Sequence, residues 1–165
     1  MAAISYRQAD GLVEMMLAHE ALRGIDAYYP GFDEWFVNKC MPAVASGRDK
    51  MVIAESRQRV VGVALVKDSP EERKLRCVRT LPEFEGRGVS IHLIDRALAL
   101  LGDDKPATSV PEELLHGWSR ILVNRFGFDL GWVEKGLYRP GRLEYFFNGA
   151  GGKASVAAPT PYGRA

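Results

Sequence analysis

A strand, a glycine-rich turn and an amphipathic helix succeed one another over residues 74–101, and this run constrains the chain more than any other feature. The strand, 74–81 (KLRCVRTL), has a charged, half-exposed pattern. The helix carries Ile91, Ile94, Leu98 and Leu101 as an apolar stripe, with His92, Asp95 and Arg96 opposite and Gly102 placed to cap its end. Between them lies PEFEGRGVS. Gly86 and Gly88 let the backbone approach a ligand closely, Arg87 adds a cation, and Ser90 adds a hydroxyl in the first helical turn. A helix start has N–H groups without intrahelical partners and the positive end of a dipole, so this turn is a candidate phosphate cradle. On residues alone, a purely conformational turn stays open beside it. The spacing matches neither the P-loop nor the dinucleotide-binding glycine triplet.

The flanking segments predict a mixed α/β chain. Residues 3–7 suggest a first strand. Asp10 then caps a helix with Leu12, Met15, Met16, His19 and Leu22 at helical spacing. A break at 28–31 precedes a second helix with Phe32, Phe36 and Cys40 on one face, which Pro42 should end or kink. Segments 50–56 and 60–67 read as a hairpin closed by Arg57-Gln58-Arg59. After the central helix come a strand at 106–110 and a helix with Ser109 and Glu112 at capping-box spacing. That helix presents Leu115, Trp118, Leu122 and Phe126, and strands at 128–133 and 143–148 follow. Residues 149–165 are rich in Gly, Ala and Pro and read as a flexible tail, leaving 1–148 as the folded domain.

Composition narrows the function. The 165 residues include 22 basic and 21 acidic side chains, a net charge of +1, so no strong overall field draws the chain to nucleic acid. Two cysteines far apart and three histidines make no zinc pattern, and no metal is expected. No apolar run is long enough to span a membrane and no signal peptide is visible, so a cytoplasmic location is the expectation.

The order of elements, together with LPEFEGRGVSIHLIDRAL, resembles the GNAT family of acyl-CoA-dependent N-acyltransferases. Their central motif, Gln/Arg-x-x-Gly-x-Gly/Ala, falls in the frame Glu85-Gly86-Arg87-Gly88-Val89-Ser90, and Gly127-Phe128 is a second landmark. The resemblance covers roughly residues 3–148. It implies a mostly antiparallel central sheet flanked by about four helices. It also implies transfer of an acetyl group from acetyl-CoA to a primary amine of an unknown acceptor. By position, the backbone N–H groups of Gly86, Arg87, Gly88, Val89 and Ser90 would hold the diphosphate, and the strand at Val78 and Thr80 would pair with the pantetheine arm.

Several positions depart from the family pattern. Glu85 puts a carboxylate where Gln or Arg is usual, Val123 stands where many members carry a tyrosine that protonates the leaving thiolate, and His116 stands where an Asn often contacts the coenzyme. The resemblance implies an acidic base near the start of the strand before the turn, where Lys74 stands with Glu71 and Glu72 just upstream, so Glu72 is a candidate base; Tyr138 is a candidate substitute acid. Solvated charges at Glu71 and Glu72 and a packing tyrosine are the alternatives. Cys77, between Arg76 and Arg79, reads as a buried strand thiol, and His19 as a hydrogen-bonded core residue. Tyr28, Tyr29, Phe32, Trp35 and Phe36 supply core and part of an acceptor wall. Arg57, Arg59, Arg73, Lys74, Arg76 and Arg79 could attract an anionic acceptor, such as an acidic peptide or a transfer RNA. The acceptor is otherwise a small molecule or peptide, and a homodimer is compatible with the reading. A non-catalytic acyl-CoA sensor or partner-binding module of the same fold is the alternative to an enzyme.

Overall fold

The computed structural model describes residues 2–149; the expected tail, apart from Gly149, lies outside the described residues. Its first half is built around an antiparallel sheet of order β1-β2-β3-β4, made of β1 (Ser5–Gln8), β2 (Asp49–Ser56), β3 (Arg59–Asp68) and β4 (Arg73–Thr80). Helix α1 (Leu12–Ala21) and a run from α2 (Phe32–Trp35) to α3 (Met41–Ala45) connect β1 to β2. Helix α4 (Val89–Leu101) follows β4. A second antiparallel sheet, β5-β7-β6, closes the chain with β5 (Thr108–Pro111), β6 (Leu130–Lys135) and β7 (Leu143–Phe147). Helix α5 (Leu115–Ser119) continues through a π-helical stretch, Arg120–Arg125, between β5 and β6. The chain is thus mixed α/β, mostly antiparallel, with four helical runs around the sheet.

Both faces of the first sheet are covered, which is why β2 and β3 read as nearly continuous apolar runs. Met51, Ile53, Val63 and Leu65 meet Met15, Leu22, Phe32 and Phe36 on one side. Val52, Ala54, Ala64 and Val66 meet Val89, Leu93, Ile94 and Ala97 of α4 on the other. The β2–β3 turn is tight because Arg57 and Gln58 both adopt positive φ (49° and 63°), the handedness a two-residue hairpin requires.

Four sequence expectations change. Helix α1 is capped at Gly11, not Asp10: the Glu14 carboxylate accepts the Gly11 N–H at 3.0 Å. Its buried face is Met15, Ala18 and Leu22, so Leu12 and Met16 are exposed (63% and 60%). Of the two outcomes expected at Pro42, an end to the helix is not found. The run switches to π-helical bonding over Phe36–Cys40 and carries the proline in the first turn of α3, where its missing N–H is tolerated. Ser109 lies within β5, and the next helix is entered through a 3-10 turn at Glu112–Leu114, so Ser109 and Glu112 form no capping box.

Candidate functional site: a cleft between two diverging strands

Strands β4 and β5 run parallel and touch at one end only. Ala107 bridges Lys74, the Leu75 N–H donates to the Ala107 carbonyl (2.9 Å), and the Ala107 N–H donates to the Arg73 carbonyl (3.2 Å). The Thr108 hydroxyl locks this vertex by donating to the Leu75 carbonyl at 2.8 Å. Past the vertex, no backbone bond joins the two strands among the described residues. The divergence has a local cause in β4. Val66 faces Leu75 and Leu65 faces Cys77, so Arg76 is an extra, bulged residue that bends the strand and inverts its facing.

The open V forms a cleft of about 860 Å³, a size that holds a cofactor-sized ligand. Its floor is the β4 edge from Leu75 to Thr80, and Ser109, Val110 and Pro111 of β5 form the opposite edge. Open strand edges of this kind are where an extended ligand with amide groups can add as a surrogate strand.

At the wide end lies the glycine turn. Gly86 and Gly88 have φ of +72° and +76°, and nothing lies within 4 Å of where a Cβ would project at either one. The first intrahelical bond of α4 runs from His92 N–H to the Gly88 carbonyl (3.1 Å), so the N–H groups of Val89, Ser90 and Ile91 precede the helical ladder. The hydroxyls of Thr80 and Ser90 lie 2.8 Å apart and tie the strand end to this first turn. Gly62 on β3 permits the close approach of α4: a Cβ there would sit 2.9 Å from Leu93 Cδ1 and 3.2 Å from the Arg79 carbonyl. Residues Val78, Thr80, Gly86, Gly88, Val89 and Ser90 all line the one cleft. Arg87 does not; its guanidinium packs over the Phe84 ring at 5.1 Å. Glu85 is exposed at the rim, and His116, Trp118 and Ile121 form the wall from α5 and its π-helical extension.

Beside the vertex sits a buried polar cluster. Glu144 on β7 is 4% exposed, and its Oε1 accepts the Tyr29 hydroxyl at 2.6 Å. Burial raises the Glu144 pKa above the ordinary carboxylate value, against the pull of hydrogen bonds from Tyr29 and Ser109. Tyr29 and Ser109 both line the cleft. Tyr138 packs edge-on against Tyr29 (5.0 Å between centroids) behind that wall, and burial first, then the Glu144 charge, pushes its pKa upward. Burial lowers the Lys74 pKa.

Glu72 is not brought to the cleft wall. It accepts a bond from Lys67 at 2.8 Å; burial would raise its pKa, but Lys67, Lys74 and Arg76 outweigh burial and the net direction is down. A carboxylate held ionised in this way is a weak proton acceptor. Val123 is 42% exposed and outside the wall, so no protic side chain stands at that position.

Burial lifts the Cys77 thiol to about 12, overriding Arg79. His19 is half-buried, bonded to Asp33 at 2.9 Å and stacked on Phe36. Of the five aromatic residues proposed for the acceptor wall, Tyr28 and Tyr29 line the cleft; Phe32, Trp35 and Phe36 are core. The six basic side chains do not form one patch. Arg59 pairs with Glu83, Arg73 with Asp68 and Arg76 with Asp49, and only Arg76 and Arg79 line the cleft.

Glu144 and Gly62 do not stand out in the sequence as site residues. The signal for Glu144 was there, an acid inside the apolar strand LEYFFN; for Gly62 it was a glycine inside VVGVALV, where a close backbone approach is one standard reason.

No family model matches the chain, and no curated protein matches it in sequence. Solved structures match it in fold. A GNAT-family acetyltransferase from Bacillus cereus superposes with a TM-score of 0.68 at 18% identity, over 92% of this chain and 99% of that one. The ribosomal-protein-S18-alanine N-acetyltransferase from Escherichia coli gives 0.65 at 13% identity, over 92% and 97%. The PaiA N-acetyltransferase from Thermoplasma acidophilum, solved with coenzyme A, gives 0.63 at 14% identity, over 89% and 99%. The chain has the GNAT fold.

Proposed function

We propose that the chain is an N-acyltransferase that moves an acetyl group from acetyl-CoA to a primary amine. One observation carries this reading: a single cleft joins an open strand edge to a glycine turn at a helix start. The strand edge suits the amide-bearing pantetheine arm, and the turn suits a diphosphate. The space above Gly86 and Gly88 is open, so a diphosphate can approach the N–H groups of residues 86–90. Similarity to the coenzyme A complex supports the same choice of donor.

Acetyl-CoA supplies an activated thioester; the chain supplies position and a proton route. The β4 edge around Val78 aligns the donor, and Thr80 holds Ser90 and the turn in register with it. The amine must lose a proton to attack. Tyr29 and Ser109 line the cleft; the Tyr29 hydroxyl donates to Glu144 at 2.6 Å and the Ser109 hydroxyl is shared between Glu144 and Tyr138, and the raised pKa of Glu144 suits a base better than that of the ion-paired Glu72. In the reaction a C–N bond forms, the C–S bond breaks, and the amine proton passes through these hydroxyls to Glu144. Tyr138 holds the Tyr29 ring from behind. The thiolate leaves without a dedicated acid.

One observation favours a second reading, a non-catalytic acyl-CoA sensor: an exposed Val123 supplies no acid. Calorimetry with acetyl-CoA and thiol release with mixed amines separate the two, since a sensor binds and releases nothing.

The binding claim is tested at Gly88. Replacing it with valine should weaken acetyl-CoA binding at least about tenfold, because the left-handed backbone relaxes and a side chain enters the turn. Gly47 has nearly the same backbone (φ +77°), open space around it and no place in the cleft, so Gly47→Val should lose similar stability and keep affinity. Equal affinities of both variants with the unsubstituted chain would defeat the reading.

A further inference from the structure

The geometry points to an acceptor that carries a carboxylate beside its amine, recognised by Arg79; this rests on the acyltransferase reading above. Arg79 sits on β4 opposite Val63, whose side chain belongs to the cluster on the α1 side of the sheet. A Cβ on Gly24 would lie 3.9 Å from Arg79 Nη2, so the guanidinium reaches toward the loop after α1. There it lines the cleft with Ile25, Tyr28 and Tyr29. Its Nε is buried and has no hydrogen-bond partner, and Arg79 makes no ion pair among the described residues. A buried guanidinium N–H without an acceptor is costly and is satisfied well by a carboxylate fork.

The charge balance of this wall agrees. Arg76, the other arginine here, lies over the Trp35 ring (5.1 Å) and 3.5 Å from Asp49. Of the acidic residues lining the cleft, Glu85 is at the glycine turn, and Glu113 is already paired through two 2.8 Å bonds with Arg139, whose guanidinium lies over the Tyr28 ring. A polycationic amine entering here meets like charge, whereas an amino-acid-like molecule brings its own anion.

The test uses thiol release from acetyl-CoA with three probes: a pool of free amino acids, the matching pool of amino-acid amides, and spermidine. The free acids should be turned over about tenfold or more faster than the amides. Arg79→Gln should lower kcat/KM for the free acids by about 10- to 100-fold and leave the amides nearly unchanged. The acetyl-CoA affinity of the variant, measured by calorimetry, reports whether it is folded, and Arg79→Lys should restore only part of the preference. Equal rates on both pools, a faster spermidine, or a preference that survives in Arg79→Gln overturns the inference. So does a protein that binds acetyl-CoA but leaves the free acids untouched. A protein that does not bind acetyl-CoA defeats the acyltransferase reading itself.

Discussion

At the scale of single residues, the proposed chemistry concentrates on Glu144. Its carboxyl is held above the ordinary carboxylate range by burial, and the Tyr29 and Ser109 hydroxyls pull it back. A base must be ionised to work, so the rate should fall as pH drops through this raised pKa. Glu144→Gln should lower kcat by about 100-fold or more and abolish that acid limb. Tyr29→Phe removes a bond that favours the ionised form, so its acid limb should move to higher pH while remaining visible. A pH–rate profile on all three proteins decides: an unshifted limb in Tyr29→Phe, or a limb that persists in Glu144→Gln, removes Glu144 from the proton path. Glu144 was hard to single out in the sequence because its role depends on partners 115 residues away in the chain, at Tyr29, and 35 away, at Ser109. The glycine turn was legible because all its parts are consecutive.

At the scale of elements, strands and helices are legible in the sequence where period and punctuation agree. The tight hairpin at Arg57-Gln58 and the cap at Gly102 are local events, and local sequence specifies them. The elements that depart from their sequence patterns share a cause. Helix α1 has apolar side chains all round, so periodicity did not choose between the Met15 face and the Leu12–Met16 face; packing against β3 chose. The bulge at Arg76 and the π-helical stretch at Phe36–Cys40 each alter a period, which pattern reading holds constant. Gly62 shows how an element's placement tests the site. Gly62→Ala should push α4 off β3, destabilise the fold by about 1–3 kcal/mol and loosen acetyl-CoA binding, because the glycine turn moves with the helix. Adding Leu93→Ala makes room for the new methyl, so the double variant should recover coenzyme affinity and be more stable than the two single losses added together. Strict additivity in thermal unfolding would show that Gly62 does not set the spacing.

At the scale of the whole molecule, two sheets meet at one vertex and share the apolar core on the α4 side. Phe128 and Phe147 of the second half pack with Leu93, Ile94 and Leu98 of α4, while the strands themselves are joined only around Lys74, Leu75 and Ala107 among the described residues. The halves therefore cohere through side chains more than through the backbone ladder, and the open edges of β4 and β5 are where amides lack mutual protection. A ligand seated between them would supply the missing rung and link the sheets. Acetyl-CoA at 100 times its Kd adds about 2.7 kcal/mol to global stability, whatever the site. The distribution of that protection is the discriminating quantity. Hydrogen exchange should slow most at 77–80 on β4, at 109–110 on β5 and at 86–91 in the glycine turn, and least in β1 and in the hairpin turn at Arg57-Gln58. Protection spread evenly over both sheets would mean that the coenzyme stabilises the fold without occupying the V. Protection confined to 86–91 would mean that the turn holds the diphosphate while the strand edges leave the pantetheine arm unbound.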